Sequence, residues 1–280
     1  YMSLLGAEGG VGKTGLGNLI SMEIAAGRSV LGQHVHLRAP TALFNLEASL
    51  EEMERSVAAA AQHHGFDPTE LHDLYLNSGR DRRLMMGQPT SEGGTIAFPD
   101  KESVVKQAKQ AGVALLTVDP FVRSHALTEN DNNHMAQAAD AWCQVAAEAD
   151  CALLLVHHTR KGATFEDGID ASRGGKALSD AARVGLVLTR MTAEEAERVS
   201  VDPRERWRYV RLGDVKLNLA PPAEKAAWLR LVSVRLNNGT PDYPQGDSVR
   251  TLEAWTQTSP FEGLPAVEIN DALDMIAEGP

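Results

Sequence analysis

Residues 7–17, AEGGVGKTGLG, set glycines around a Lys-Thr pair near the start of the chain. Glycine reaches backbone angles closed to other residues, so successive main-chain N–H groups can converge on a bound anion. A lysine and a hydroxyl at the end of such a turn suit the outer phosphates of a nucleotide and a magnesium ion. Gly9, Gly10, Val11, Gly12, Lys13, Thr14 and Gly15 are therefore the expected nucleotide-binding residues, with Thr14 also on the metal. The usual form G-x-x-x-x-G-K-S/T places glycine where Ala7 stands, although Gly6 precedes it. The competing reading is a glycine-rich turn with a chance Gly-Lys-Thr.

A magnesium-bound phosphate needs a carboxylate to orient the metal and a base to activate water. ALLTVDP ends an apolar run on Asp119, the form of a metal carboxylate at a strand's end. Many phosphate-loop ATPases place a glutamate directly after that aspartate. Here the position is Pro120, which can do no proton chemistry, so a base must come from elsewhere. Glu47 in LFNLEAS, just past another apolar run, is the best candidate. Its competing role is a carboxylate stabilising the dipole of a helix over 49–64.

CALLLVHHTRKG ends a further apolar run on His157 and His158, either of which could sense a γ-phosphate. Adjacent residues on a strand point to opposite faces, so one of the two faces the site. Ligand spacing for zinc is missing around them. Beyond lies the long stretch 159–185, rich in glycine and charge. Its Arg160, Lys161, Arg173 and Lys176 could meet phosphates on a nucleic-acid strand, against Glu166, Asp167, Asp170 and Asp180 in the same stretch. A solvated mobile loop is the competing reading.

Such groups need a scaffold that brings strand ends together. YMSLL (1–5) reads as a buried strand, and 13–26 places Leu16, Leu19, Ile20 and Ile24 at helical spacing. Strand, loop, helix is the context the phosphate-binding motif requires. Apolar runs at 41–46, 74–77, 113–119, 151–158 and 183–190 alternate with helical patterns at 49–64, 102–111 and 136–149. Continuous rather than alternating apolar runs indicate strands covered on both faces, hence a mostly parallel α/β sheet. Ligands in such sheets sit at the carboxyl ends of the strands. From about 200 the pattern alternates instead, so 204–219 and 226–239 read as antiparallel strands. The Pro/Gly-rich stretch 237–247 suggests a boundary, giving a domain over 1–240 and a linker and tail over 241–280. The helical pattern at 266–280 is either a terminal helix or the start of a winged-helix appendage.

The 280 residues, 43% of them hydrophobic, can bury a sizeable core. No apolar run approaches a membrane span, and no signal peptide is visible. The chain opens so abruptly on the loop's own strand that residues are expected before it. Cys143 and Cys151 form neither a C-x-x-C pair nor a disulfide framework, which suits a reducing cytoplasm. A net charge of −11 argues against a surface generally adhesive to nucleic acid, though not against a local basic patch.

With these residues assembled, the chain resembles RecA-type ATPases. More narrowly it resembles the RepA group of plasmid-encoded hexameric replicative helicases. The resemblance rests on GGVGKT, FNLEAS, LLTVDPFVRSH, CALLLVHHTRKG and ASRGGKALSDAAR, and spans about residues 1–235. It implies a RecA-like fold, ATP and Mg2+ as cofactors, single-stranded DNA as partner, a role in DNA replication and a homo-oligomeric ring, a hexamer. It further implies that Arg183 is an arginine finger reaching a neighbour's nucleotide and that Lys216 lies near the same intersubunit site. Loops around 121–135 and 159–176 would face the ring's channel. Two other classes remain: a regulatory or assembly ATPase of this fold acting on a protein partner, and a small-molecule phosphotransferase or GTPase. The chain lacks an Asn-Lys-x-Asp guanine signature, which disfavours the last.

Overall fold

The computed structural model describes residues 1–91, 95–159, 175–219, 221 and 226–256. β1 (Met2–Ala7) feeds the glycine-rich loop, and α1 (Lys13–Ala26) follows it at once. Then come β2 (Thr41–Asn45), α2 (Leu50–His64), β3 (Leu74–Ser78), and the short ribbon strands β4 (Gln88–Pro89) and β5 (Ile96–Ala97). α3 (Lys101–Ala111), β6 (Leu115–Asp119), α4 (Asn132–Ala149) and β7 (Ala152–His158) continue the alternation. α5 (Gly175–Ala181), β8 (Val184–Arg190) and α6 (Ala193–Arg198) lead into β9 (Tyr209–Leu217), β10 (Ala227–Arg235) and β11 (Ser248–Trp255).

Among the described residues the main sheet has nine strands in the order β11-β10-β9-β8-β1-β7-β6-β2-β3. From β8 to β3 every pairing is parallel; β8–β9, β9–β10 and β10–β11 are antiparallel. The apolar runs are buried as expected of strands covered on both faces: β6 is buried at every position. Alternate residues of the central strands feed two cores. Leu4, Leu153, Leu155, Phe121 and Trp142 pack on the side of α4, while Leu5, Leu154, Val156 and Leu16 pack on the side of α1.

Helix ends follow local chemistry. Ser49 and Glu52 form a reciprocal capping box at the start of α2, and Gly65 ends it in the left-handed region. α4 starts at 132 rather than 136, because the Asp131 carboxylate accepts from the N–H groups of Asn133 and His134. Among the described residues no helix is long and apolar enough to cross a membrane.

The boundary expected at 240 does not interrupt the sheet. β11 pairs with β10 along its whole length, from Trp228↔Trp255 to Arg235↔Ser248. Residues 237–247 are thus a hairpin connection, tied by Leu236 N–H to Asp247 O at 2.8 Å and Asn238 Nδ2 to Asp247 Oδ2 at 2.7 Å. Proline, glycine and asparagine mark a long hairpin turn as readily as a linker. Residues 257–280, with the helical pattern at 266–280, lie outside the described residues.

The antiparallel end of the sheet coils back over α1 and α2. His64 Nε2 bonds Leu252 O at 2.7 Å, His63 Nε2 meets Glu253 Oε2 at 2.7 Å, and Gln62 Nε2 donates to Arg235 O at 3.0 Å. This coiling brings β10 and β11 to the glycine-rich loop.

Candidate functional site

β1, β6 and β7 run parallel and side by side, so their carboxyl ends meet at one edge of the sheet. The glycine-rich loop turns there. Gly10 and Gly12 take φ of 74° and 108°, angles that a side chain would strain. Gly12 is also crowded: a Cβ on it would lie 3.2 Å from a methyl of Leu231 and 3.4 Å from one of Leu252. Gly9 is exposed with open space around it, and a Cβ on Gly15 would sit at ordinary van der Waals distance from Leu252. Val11 is 1% exposed and anchors the loop in the core beneath α1.

Lys13 is buried at the start of α1, and its Nζ donates to Glu8 O at 2.9 Å and to His158 Nδ1 at 3.1 Å. Burial lowers its pKa, opposed by Asp119, Glu47 and Glu8. Thr14 Oγ1 donates to Asp119 Oδ2 at 2.5 Å, joining the loop to the end of β6. Burial raises Asp119, while the Thr14 hydrogen bond and Lys13 pull it back. A hydroxyl and a carboxylate in contact beside a lysine are the oxygen donors a nucleotide-bound magnesium ion uses from a protein. Among the described residues no group of three or more His, Cys, Asp or Glu could hold a metal alone. The donor set therefore fits an ion held mainly by phosphate and water.

Glu47 sits in the connection from β2 to α2, its N–H donating to Asn45 Oδ1 at 3.0 Å. The helix cap belongs to Ser49 and Glu52, so Glu47 is not the capping group of α2. It lines a cavity of about 290 Å³ together with Gly12, Lys13, Thr14, Asp119 and His158. Its Oε1 accepts from Arg123 Nε at 3.0 Å.

The two histidines separate by strand parity. His158 pairs in register with Ala7 and opens to the cavity, its pKa lowered by burial and then by Lys13. His157 is 3% exposed and packs edge-on to the Phe121 ring, centroids 6.0 Å apart, on the α4 side of the sheet. Of the two histidines left open by the sequence, His158 is the one at the cavity, and alternation on β7 puts His157 in the core.

Arg183 and Lys216 lie at the other end of the strands. Arg183 is exposed, and its N–H donates to Met2 O, where β1 begins. Lys216 pairs with Gly185 and its Nζ donates to Ser179 O at 2.7 Å. β1 spans six residues at about 3.3 Å each, so roughly 20 Å separates Arg183 from its own loop. Neither lines the cavity of its own chain. Of the four cations expected to meet nucleic acid, Lys176 is exposed on α5, while Arg160, Lys161 and Arg173 lie outside the described residues.

Sequence reasoning missed the roof of the cavity. Leu231, Arg250, Thr251 and Leu252 line it from β10 and β11, and Arg190 Nη2 donates to Gly10 O at 3.2 Å from the end of β8. Only Arg190 carried a signal, as the last residue of an apolar run whose parallel pairing with β1 puts its end beside the loop.

Comparison with known proteins agrees with this arrangement. The KaiC-like protein PH0186 from Pyrococcus horikoshii OT3 superposes with a TM-score of 0.52 at 11% identity, over 91% of this chain and 89% of that one. That likeness establishes the fold: a RecA-like sheet, mostly parallel, with antiparallel strands toward its C-terminal end. The family described as AAA domain matches residues 1–164, which include the phosphate-binding loop, Glu47, Asp119 and His158. On that match, the chain belongs to the AAA domain family of phosphate-loop ATPases.

Proposed function

We propose that the protein is an oligomeric, Mg2+-dependent ATPase stimulated by single-stranded DNA, serving as a ring-forming replicative helicase of the RepA kind in a plasmid, phage or mobile element. One observation carries the hydrolytic part: Lys13, Thr14, Asp119, Glu47 and His158 line a single cavity at the carboxyl edge of the sheet. Lys13 would leave Glu8 O and His158 for the β- and γ-phosphates, and the loop N–H groups would cradle them. Thr14 and Asp119 would hold Mg2+, which would neutralise phosphate charge. Glu47 would take a proton from water as that oxygen attacks the γ-phosphorus. The bond to the bridging oxygen breaks, leaving ADP and phosphate. His158 would sense the change at the γ-position.

The oligomeric part is supported by what the cavity lacks. Arg183 is too far to reach its own nucleotide, so it could act only on a neighbouring copy, as the RepA resemblance implies. Single-stranded DNA as partner rests on that resemblance and on the cations around 160–176. A regulatory ATPase acting on a protein partner draws support from the net charge of −11. Steady-state ATP turnover with and without oligothymidine separates the two. Stimulation supports the helicase reading; equal rates and no binding favour the regulatory one.

A further inference from the structure

Glu47 borders two cavities. One holds the phosphate loop. The other, about 650 Å³, opens on the far side of Glu47 and is lined by Arg80, Arg83, Arg123 and His125. Its walls are rigidly placed. Gly79 lets the end of β3 press on β2, where a Cβ would lie 2.6 Å from Leu46 Cα. The turn that follows is clamped to the start of α2 by Leu50 N–H donating to Asp81 Oδ2 at 3.1 Å. On the opposite wall, Trp142 Nε1 donates to Ser124 Oγ at 3.0 Å and Met86 N–H to Ser124 O at 2.6 Å, fixing the turn that carries Arg123 and His125.

Three arginines against one glutamate make the lining cationic. His125 adds a second, independent sign of a ligand. It is 7% exposed, and its Nδ1 accepts from Leu127 N–H at 3.2 Å. The proton of the neutral ring therefore sits on Nε2, which is buried without a hydrogen-bond partner among the described residues. Burial pushes the ring's pKa down to about 4, so it stays neutral and donating near pH 7. An unmet buried donor is costly, and because Nε2 has no surface open to the cavity, an anion there would meet it only once the ring turns. Guanidinium forks beside such a donor match phosphate oxygens.

We propose that the Arg80–Arg83–Arg123–His125 cavity binds a backbone phosphate of a single nucleic-acid strand, and that the bound phosphate draws Arg123 away from Glu47. This rests on the nucleic-acid-stimulated ATPase reading above and assigns the site through which stimulation reaches the base. The Arg123–Glu47 pair is suited to exchange. Both side chains are largely exposed, at 64% and 49%, and such pairs hold only weakly. While the pair lasts, the carboxylate is directed at a guanidinium instead of water. Once a phosphate takes Arg123, Glu47 is free to turn to the nucleotide cavity it already lines.

The test measures anisotropy of fluorescein-labelled oligothymidine across salt concentrations, together with ATP turnover, for wild type, Arg80→Ala/Arg83→Ala, His125→Phe and Arg123→Ala. The double variant is expected to bind at least about tenfold more weakly with a shallower salt slope, by about 0.7 for each phosphate it no longer neutralises. His125→Phe, which keeps an aromatic ring and removes the donor, should weaken binding several-fold. Arg123→Ala should raise turnover without DNA several-fold and blunt its stimulation, an increase that damage to the fold does not produce. If wild type and double variant bind oligothymidine alike, this cavity is not the strand site, while strand-stimulated hydrolysis itself stands. If wild type binds no oligothymidine, the strand is overturned both here and in the functional reading. Millimolar phosphate that then raises the melting temperature of wild type but not of the double variant would identify free phosphate as the occupant in its place.

Discussion

Lys13 Nζ donates to His158 Nδ1 across 3.1 Å, so the phosphate loop and the end of β7 are joined by one hydrogen bond. His157, one residue earlier, belongs to the other face and packs on Phe121. The two histidines should therefore fail differently. His158→Ala should keep its stability and bind ATP, with turnover lower by about ten- to a hundredfold. His157→Ala should instead lose about 1–3 kcal/mol of stability through the cavity it leaves. Urea melts and ATPase rates on both variants check this; equal effects would void the assignment of faces.

Gly12 and Gly9 offer a second contrast. Gly12→Ala puts a Cβ at φ 108° and 3.2 Å from Leu231, so it should cost about 1–3 kcal/mol and abolish tight ATP binding. Gly9→Ala meets nothing within 4 Å and should fold normally. Calorimetric titration with ATP separates them. A Gly12→Ala protein that binds like wild type would mean that β10 and β11 do not confine the loop.

Acid should destabilise the fold. His125 is held down to about 4 by burial, and burial also lowers His64 and His158. Unfolding returns each ring to its ordinary value near 6.5, where the unfolded chain takes up protons that the folded chain refuses. Their contribution is whole above that value and is lost as pH falls toward the folded one. For His125 alone the loss from about pH 7.5 to about pH 5.5 is about 1 kcal/mol. Asp119, raised by burial, works in the opposite direction and offsets part of it. The urea midpoint should fall on acidification, and fall less in His125→Phe. A midpoint that rises would contradict the burial of these rings.

Much of this site was legible because local chemistry dictated it. Pro120 leaves the position after Asp119 without proton chemistry, and Glu47, from the end of another strand, lines the cavity with Asp119. Continuous apolar runs gave a parallel sheet whose strand ends had to meet. What could not be read was long-range. The roof from Leu231 and Leu252 depends on the coiling of antiparallel strands, which leaves no mark in the spacing of their residues. The same holds for residues 237–247, whose turn chemistry is common to a linker and a hairpin. His157 and His158 were ambiguous because parity becomes definite only when register is known, here Ala7↔His158.

Arg183 sits beside Met2, at the end of β1 farthest from the loop. Arg183→Ala should fold, bind ATP and hydrolyse it slowly, by about a thousandfold if its guanidinium acts on a neighbour's γ-phosphate. Lys13→Ala should fail to bind ATP. Mixed oligomers, verified by fluorescence transfer between labelled chains, should regain activity, because an intact loop on one chain meets an intact arginine on the next. Verified mixing without activity above the sum of the parents would remove Arg183 from the reaction.

The most direct measurement is single-turnover hydrolysis of ATP by Glu47→Gln protein already shown by titration to bind ATP. With Glu47 as the base that activates water, binding persists while hydrolysis falls by about two to four orders of magnitude. Hydrolysis within a few-fold of wild type would contradict it and leave Glu47 a surface partner of Arg123.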